Sequence, residues 1–469
     1  MRRQHLRLLT TTILPVIIIL LATATPARMQ SFPSTGSATT IHLPLIMHRW
    51  PPPPSIFGAE INPGRVSNSV GWAREAQLYW IRYNGILWSE VEPTPGEYRW
   101  SGLASVESEL RALHAQGLTP MVVVRGTPGW AQQLPQSLCG PIRADAWDDF
   151  ARFMYALVAR YSGPPYNVTR WEIWNEPDAP AGQGDPPYGC WGDPHDAYYG
   201  GRTFGAMLRQ VYPAIKSANP TAQVVLGGLL LDCDPQRPPP GNDCRSAHFL
   251  EGVLLSGAGQ SFDLLAFHGY PFWDDQYRDW DRYHRAWHHR GGVVLGKADF
   301  LRSVLQRYGV SKPMIMNEGG LLCWNAHPAC QATFYDAQAN YLVRLYTRTW
   351  AGELVGAIWY TLDGPGWNLS GLLDANQQPK PAYQALQFMA GLLQDSEYVG
   401  ALETSPSVEG YQFRRGTSTY WIYWTNDNST VTRSLPPNAR AVYNKFGRAS
   451  APGSSITVGF EPVFIEIGP

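Results

Sequence analysis

From Ser55 to about Leu393, short runs of β-branched, aliphatic and aromatic residues alternate with longer stretches in which apolar residues return every three or four positions. Compact apolar runs suit buried strands and a 3.6-residue period suits amphipathic helices, so the alternation predicts strand and helix repeats around a parallel sheet. Eight pairs fit, with strands at Ile56–Glu60, Leu78–Tyr83, Met121–Arg125, Trp171–Trp174, Val224–Gly227, Leu264–Phe267, Met314–Met316 and Gly356–Tyr360. Eight such units close into a (β/α)8 TIM barrel, an α/β fold. The segment exceeds the ~250 residues typical of that fold because the loops after the fourth, fifth and sixth strands are long, and those loops build the active face.

The helices have local support. Phe150, Met154, Leu157 and Tyr161 recur at helical spacing after Asp145, a candidate N-cap. A later helix is predicted to start at Thr333, with Asp336 three residues on in a weaker form of the capping box and Tyr341, Leu345 and Tyr346 turned inward. After Pro379, Lys380 and Pro381 and a last helix, the period changes to two: Tyr411 and Phe413, then Tyr420, Ile422 and Trp424, and finally Val463, Ile465 and Ile467. This predicts a small all-β sandwich over residues 394–469, packed on the barrel of residues 55–393.

Ahead of the barrel the character of the chain differs. Arg2 and Arg3, the apolar run Ile13–Ala22 and the small-residue triplet Ala22, Thr23, Ala24 predict a secretory signal peptide over residues 1–27. The apolar run is short of the ~20 residues of a membrane span, so no membrane association is expected after cleavage. Residues 28–54 are rich in Ser, Thr and Pro and end in four prolines, the composition of a stiff tether. Six cysteines in an exported chain, without paired C-x-x-C spacing, point to disulfides rather than metal ligands. Cys233 with Cys244 and Cys323 with Cys330 each flank a short loop, which leaves Cys139 with Cys190; spacing alone does not prove this connectivity.

Charge narrows the function. With 37 basic and 38 acidic residues, and no basic run beyond the N-terminus, the chain lacks the positive field that nucleic acid requires. The 19 Trp and 24 Tyr suit the apolar faces of neutral sugars, although a large barrel also buries many aromatics in its core.

Two stretches carry candidate chemistry. Residues 171–178 read WEIWNEPD, an extended run stopped by Pro177 with Asn175 and Glu176 at its end, and residues 314–320 read MIMNEGG, with Glu318 in the matching place. Barrels place their chemistry at the C-terminal ends of strands. Strand alternation would set Glu172, Trp174 and Glu176 on one face, with Glu172 deeper as a structural carboxylate. Two carboxyl groups facing one pocket from the fourth and seventh strands are what glycoside hydrolysis with retention uses, one protonated and one ionised, at a separation of about 5 Å. A cationic partner would favour the charged form of Glu318, while desolvation and like charge would raise the pKa of Glu176.

From Ser55 to the C-terminus these residues resemble the clan A glycoside hydrolases, with closest likeness to families 39 and 5. The resemblance implies that Glu176, in Asn-Glu-Pro, is the acid/base and Glu318 the nucleophile. It further implies that Arg82 lies near the nucleophile and that Asn175 binds the sugar 2-hydroxyl. His268 and Tyr270 match the clan's His-x-Tyr, whose tyrosine bonds the nucleophile and whose histidine lines the sugar site, and Trp359 stands where the clan has a stacking platform. At Asn84 the chain departs from some family 39 xylosidases, which carry a histidine there, and this counts against xylosidase specificity. Trp88, Trp130, Trp273 and Trp324 fall in loops where further platforms could form. Singly, each assignment has a structural rival: a salt-bridged barrel arginine, a satisfied core histidine, ordinary aromatic packing.

The expectation is therefore a secreted retaining glycosidase acting on a carbohydrate substrate without cofactor or metal, its sugar, linkage and oligomeric state left open. A barrel that binds sugar without catalysis, and a transglycosylase with the same site, are the alternatives. His284, His288 and His289 lack metal-ligand spacing and read as a solvated loop. Asn167, Asn368 and Asn428 fit the N-glycosylation pattern.

Overall fold

The computed structural model describes residues 55–181, 191–324, 330 and 333–469; the expected signal peptide, the tether and Cys190 lie outside these residues. Eight strands form a closed parallel barrel: β1 (Phe57–Glu60), β2 (Trp80–Leu87), β3 (Thr119–Arg125), β4 (Arg170–Ile173), β5 (Gln223–Leu229), β6 (Leu264–Gly269), β7 (Met314–Gly319) and β8 (Ala357–Trp359). Strand β8 pairs with β1 through Ala59 and Trp359, which closes the ring. Each expected strand is present, displaced by a few residues at its ends.

Alternation sorts the side chains into two layers. Trp80, Met121, Val225, Leu264, Ala266, Ile315 and Ile358 form an apolar plug inside the barrel. Their neighbours in sequence, such as Ile81, Val122, Leu265, Met314, Met316 and Trp359, join the larger core between barrel and helices. The helix Trp147–Tyr161 buries Phe150, Met154, Leu157 and Tyr161 as its period predicts. Asp145 is not its cap: it lies in the 3-10 turn Ala144–Ala146, and its carboxylate pairs with Arg143 at 3.0 Å. Thr333 does stand at the N-cap of the helix Phe334–Ala351, but no side-chain hydrogen bond caps that end.

The C-terminal region holds β9 (Glu397–Thr404), β10 (Val408–Arg415), β11 (Ser418–Thr425), β12 (Val431–Ser434), β13 (Ala439–Asn444), β14 (Ala449–Ser450), β15 (Ser455–Val458) and β16 (Val463–Ile467). Six of them make one antiparallel sheet in the order β14-β13-β16-β11-β10-β9, and β12 pairs with β15 as a separate ribbon, so the second layer of the expected sandwich is just two strands. One face of the sheet, with Tyr411, Phe413, Ile422, Trp424 and Phe464, belongs to the barrel's core. Phe413 meets Trp350 edge-on at 5.0 Å, and Phe464 meets Phe388 at 5.2 Å. The opposite face packs Tyr423, Ile465 and Ile467 with Val458 of the ribbon.

Charge also crosses this junction. Arg348 of the helix Phe334–Ala351 pairs with Asp279 and Asp281, both at 2.8 Å, and with Glu409 of β10 at 2.6 Å, while Arg344 pairs with Asp279 at 2.9 Å; all five side chains are fully buried. Asp279 and Asp281 belong to the long loop after β6, so barrel helix, active-face loop and sheet are tied by one network. Two of the expected disulfides, Cys233–Cys244 and Cys323–Cys330, are formed. Cys139 is disulfide-bonded as well. Among the described residues no helix is long and apolar enough to cross a membrane. Of the glycosylation sequons, Asn368 is buried and Asn428 exposed.

Candidate active site

Above the apolar plug the inward positions become polar. Glu60 on β1, Arg82 on β2 and Glu172 on β4 occupy the next layer, and Arg82 is their centre. Its guanidinium donates to Glu172 at 2.8 and 3.0 Å, to Glu60 at 2.5 Å, to Asn175 at 2.6 Å and to Glu318 at 2.6 Å. A buried cation is tolerable because its rigid fork of donors is met by acceptors on several sides. Burial pushes the Glu60 carboxyl well above its usual range even with Arg82 beside it. Glu172 also accepts the backbone N–H of Gly228 at 3.1 Å, the structural role expected of it.

The two candidate glutamates reach the mouth through departures from regular strand geometry. On β7, Met314 and Met316 face the outer core, and unbroken alternation would send Glu318 the same way. Instead Phe267 pairs with Met316 and the next residue, His268, pairs with Glu318, so Asn317 is an extra residue on β7 that turns Glu318 inward. After β4, Trp174 (φ 73°) and Glu176 (φ 45°) both adopt left-handed backbone conformations. The expectation that Trp174 shares a face with Glu172 fails for this reason. Its ring packs edge-on against Phe150 and Trp191, its indole N–H donates to the Cys139 carbonyl at 3.1 Å, and Glu176 turns into the mouth without it.

A cleft of about 910 Å³ opens there, lined by Glu60, Asn84, Arg125, Asn175, Glu176, His268, Tyr270, Glu318, Tyr360 and Trp367 among others. Glu318 accepts hydrogen bonds on both oxygens, from Arg82 on Oε2 and from the Tyr270 hydroxyl at 2.5 Å on Oε1. Glu176 has a different setting: its Oε1 lies 2.8 Å from Nδ1 of His268, and burial raises its pKa to about 7 despite the positive charges of Arg82 and Lys297. Burial likewise lowers His268 to about 4, so the imidazole is neutral at physiological pH. Among the described residues its Nε2 has no hydrogen-bond partner, and it lies 3.6 Å from Glu318. Gly228 makes room for this ring, since a Cβ there would collide with Nε2.

Glu176, His268 and Glu318 each offer a ligand atom, and these atoms lie within 4.8 Å of one another. A metal could be held by such a set in principle, but Arg82 already supplies the positive charge at Glu318. The donor set thus suits an acid pair better than a cation.

Of the expected site residues, Asn175, Glu176, His268, Tyr270 and Glu318 line this cleft, while Arg82 lies fully buried beneath it and bonds Asn175 and Glu318 from below, so it is not itself placed to touch a sugar. Trp359 does not line the cleft. The side chain is fully buried, packs near Tyr341 and donates to the Ser370 carbonyl at 2.8 Å, because strand alternation points it outward. Trp130 is also outside the lining: it donates to the Glu92 carbonyl at 3.0 Å and packs edge-on against the fully buried Trp88. Tyr360, one residue past β8, and the half-exposed Trp367 stand in the cleft instead.

Reasoning from sequence missed Glu60, an acid ending β1 in the manner of Glu318 on β7, and Lys297. The Lys297 ammonium lies in the cleft wall, donates to the carbonyls of Leu230 at 2.6 Å and His268 at 2.8 Å, and is pulled down to about 8 by burial. No motif marks it; only the packing of its helix against β6 brings it there. The histidine loop is not simply solvated. His284 lines the cleft, and His289 bonds Asp234 at 2.7 Å.

The sequence matches no family model and no curated protein sequence. Solved structures resemble it in fold. A family 39 glycoside hydrolase from Bacteroides cellulosilyticus WH2 superposes with TM-score 0.67 at 19% identity, covering 88% of this chain and 80% of the other. A GH30 endoxylanase from Clostridium papyrosolvens C71 gives 0.59 at 12% identity, over 88% and 95%. A GH39 β-xylosidase from Caulobacter crescentus gives 0.57 at 16%, over 89% and 97%. The barrel with its C-terminal sheet is therefore an architecture shared with glycoside hydrolases of families 39 and 30.

Proposed function

We propose that this chain is a retaining glycoside hydrolase that cleaves O-glycosidic, β-linked bonds in oligo- or polysaccharides. The observation that carries the reading is the unequal carboxyl pair. Carboxylate oxygens of Glu176 and Glu318 lie within 4.8 Å, compatible with the roughly 5–5.5 Å between carboxyl groups in retaining enzymes and short of the roughly 6.5–9.5 Å that leaves room for water in inverting ones. Their surroundings also divide the roles. Glu176, raised to about 7, can hold a proton at neutral pH, while Glu318 is fixed by donors from Arg82 and Tyr270.

In the first step a Glu318 oxygen attacks the anomeric carbon, the bond to the leaving oxygen breaks, and Glu176 gives that oxygen its proton. In the second, Glu176 takes a proton from water as the water oxygen displaces Glu318. With its Oδ1 accepting from Arg82, Asn175 keeps its amide N–H as the donor for the sugar 2-hydroxyl. The fold shared with glycoside hydrolases supports the reading, and the N-terminal pattern together with the disulfides supports export. Incubation with an activated 2-fluoro aryl glycoside followed by peptide mass spectrometry tests it. A covalent sugar on Glu318, absent in Glu318→Gln, is expected; labelling that persists in that variant removes the assignment.

A further inference from the structure

Beside the cleft lies a second hollow of about 740 Å³, and Asp232, Tyr270, Phe272 and His284 line both spaces. The two are neighbouring parts of one depression, each within the volume range of a ligand pocket, so together they exceed what the sugars flanking one bond require.

The hollow is furnished with a flat aromatic surface. Trp324 is 58% exposed and lies parallel to Phe272, with ring centroids 4.3 Å apart and an angle of 11°. Stacking covers one face of the indole, and the residue still keeps more than half of its surface exposed among the described residues. An aromatic relay then leads back to the reactive carboxylate: Phe272 meets Trp367 edge-on at 6.3 Å, Trp367 meets Tyr270 at 5.7 Å, and Tyr270 bonds Glu318. Around the rim stand Asn242, Asp274 and Arg285. One apolar plane with polar groups at its edge is complementary to a pyranose, whose ring face is apolar and whose equator carries hydroxyls.

The wall of the hollow is held in place by the C-terminal sheet. The Asp279 N–H donates to the Asn426 carbonyl at 2.8 Å, the backbones of Arg278 and Asp427 form an isolated antiparallel β-bridge, and Trp280 packs edge-on against Phe460 at 5.6 Å. A site built in advance spends less of its binding energy on ordering.

We propose that this hollow is an additional sugar subsite, in which a unit beyond the two flanking the scissile bond stacks on Trp324, so that the substrate is a chain and not a disaccharide. The proposal rests on the glycosidase reading. Its test uses the full protein with β-1,4-linked xylo- and gluco-oligosaccharides of two to six units and the matching aryl β-glycosides. The expected result is that kcat/KM rises from dimer to tetramer, chiefly through KM, and that Trp324→Ala cuts the ratio of tetramer to aryl glycoside by roughly two- to tenfold, the worth of one aromatic contact. A flat profile beyond the dimer, or a rise that survives in Trp324→Ala, overturns the subsite. Aryl glycoside turnover with a flat profile would leave the glycosidase reading standing. If nothing is turned over, titration calorimetry with the hexasaccharides decides: binding weakened by the same factor in Trp324→Ala supports the subsite, and equal or absent binding overturns it.

Discussion

Nδ1 of His268 lies 2.8 Å from Oε1 of Glu176 at the barrel mouth, where the imidazole is fully buried and the carboxyl keeps a small exposed area. Burial acts on them in opposite directions, up to about 7 for the acid and down to about 4 for the base, because in each case it disfavours the charged form. At neutral pH the imidazole is neutral and the carboxyl beside it holds its proton about half of the time. Half of the proposed chemistry depends on that proton.

The sign of the pH dependence follows. Glu176 must be protonated for the first step, so kcat/KM on an aryl β-glycoside should fall as pH rises through about 7. Glu176→Gln removes this alkaline limb and lowers the rate by roughly 10²–10⁴ where the leaving group needs a proton. A limb at the same pH in that variant would assign it to another group.

Tyr270→Phe deletes one of the two donors on Glu318 and leaves the ring in place. A hydrogen bond to a charged group contributes roughly 1.5–3 kcal/mol, so kcat/KM should drop about ten- to a hundredfold with the thermal midpoint nearly unchanged. An equal loss of stability would make Tyr270 a structural residue.

Arg82→Met strips the shared cation from Glu60, Glu172 and Glu318. Breaking a buried pair from one side costs about 3–5 kcal/mol, so urea denaturation should show a large loss of stability together with loss of activity. Retention of wild-type stability would mean that the three carboxyls rearrange into solvent.

Arg348→Met tests the junction far from the chemistry. Asp279, Asp281 and Glu409 would each lose a buried partner, and a destabilisation of about 3–5 kcal/mol is expected in the same urea measurement. The loop carrying Trp280 and His284 should become more open to protease, since its aspartates are anchored there. An unchanged denaturation midpoint and cleavage pattern would show that apolar packing alone joins the sheet to the barrel.

Much of this was written in local pattern. The eight strands, the helix face of Phe150 and Tyr161, the change to a two-residue period after Leu393, and two cysteine pairs follow from spacing, because periodicity and chain proximity act over a few residues. Glu176 and Glu318 were visible too, as acids at strand ends next to Asn. What pattern could not supply is direction. Strand alternation, applied without interruption, turns Glu318 outward and Trp174 inward, and the molecule does the opposite at both places. An extra residue on β7 and two left-handed residues after β4 decide the matter. The same rule, obeyed on β8, buries Trp359 and leaves the cleft to Tyr360 and Trp367. Glu60, Lys297 and the arginines 344 and 348 acquire their roles from partners tens to hundreds of residues away, and no local window contains those partners. The sequence by itself determined which elements form and which carboxyls end them. Tertiary structure decided which way those carboxyls face, what charge surrounds each, and which aromatics remain open to a sugar, because these depend on bulges, burial and contacts that exist only once the barrel has closed.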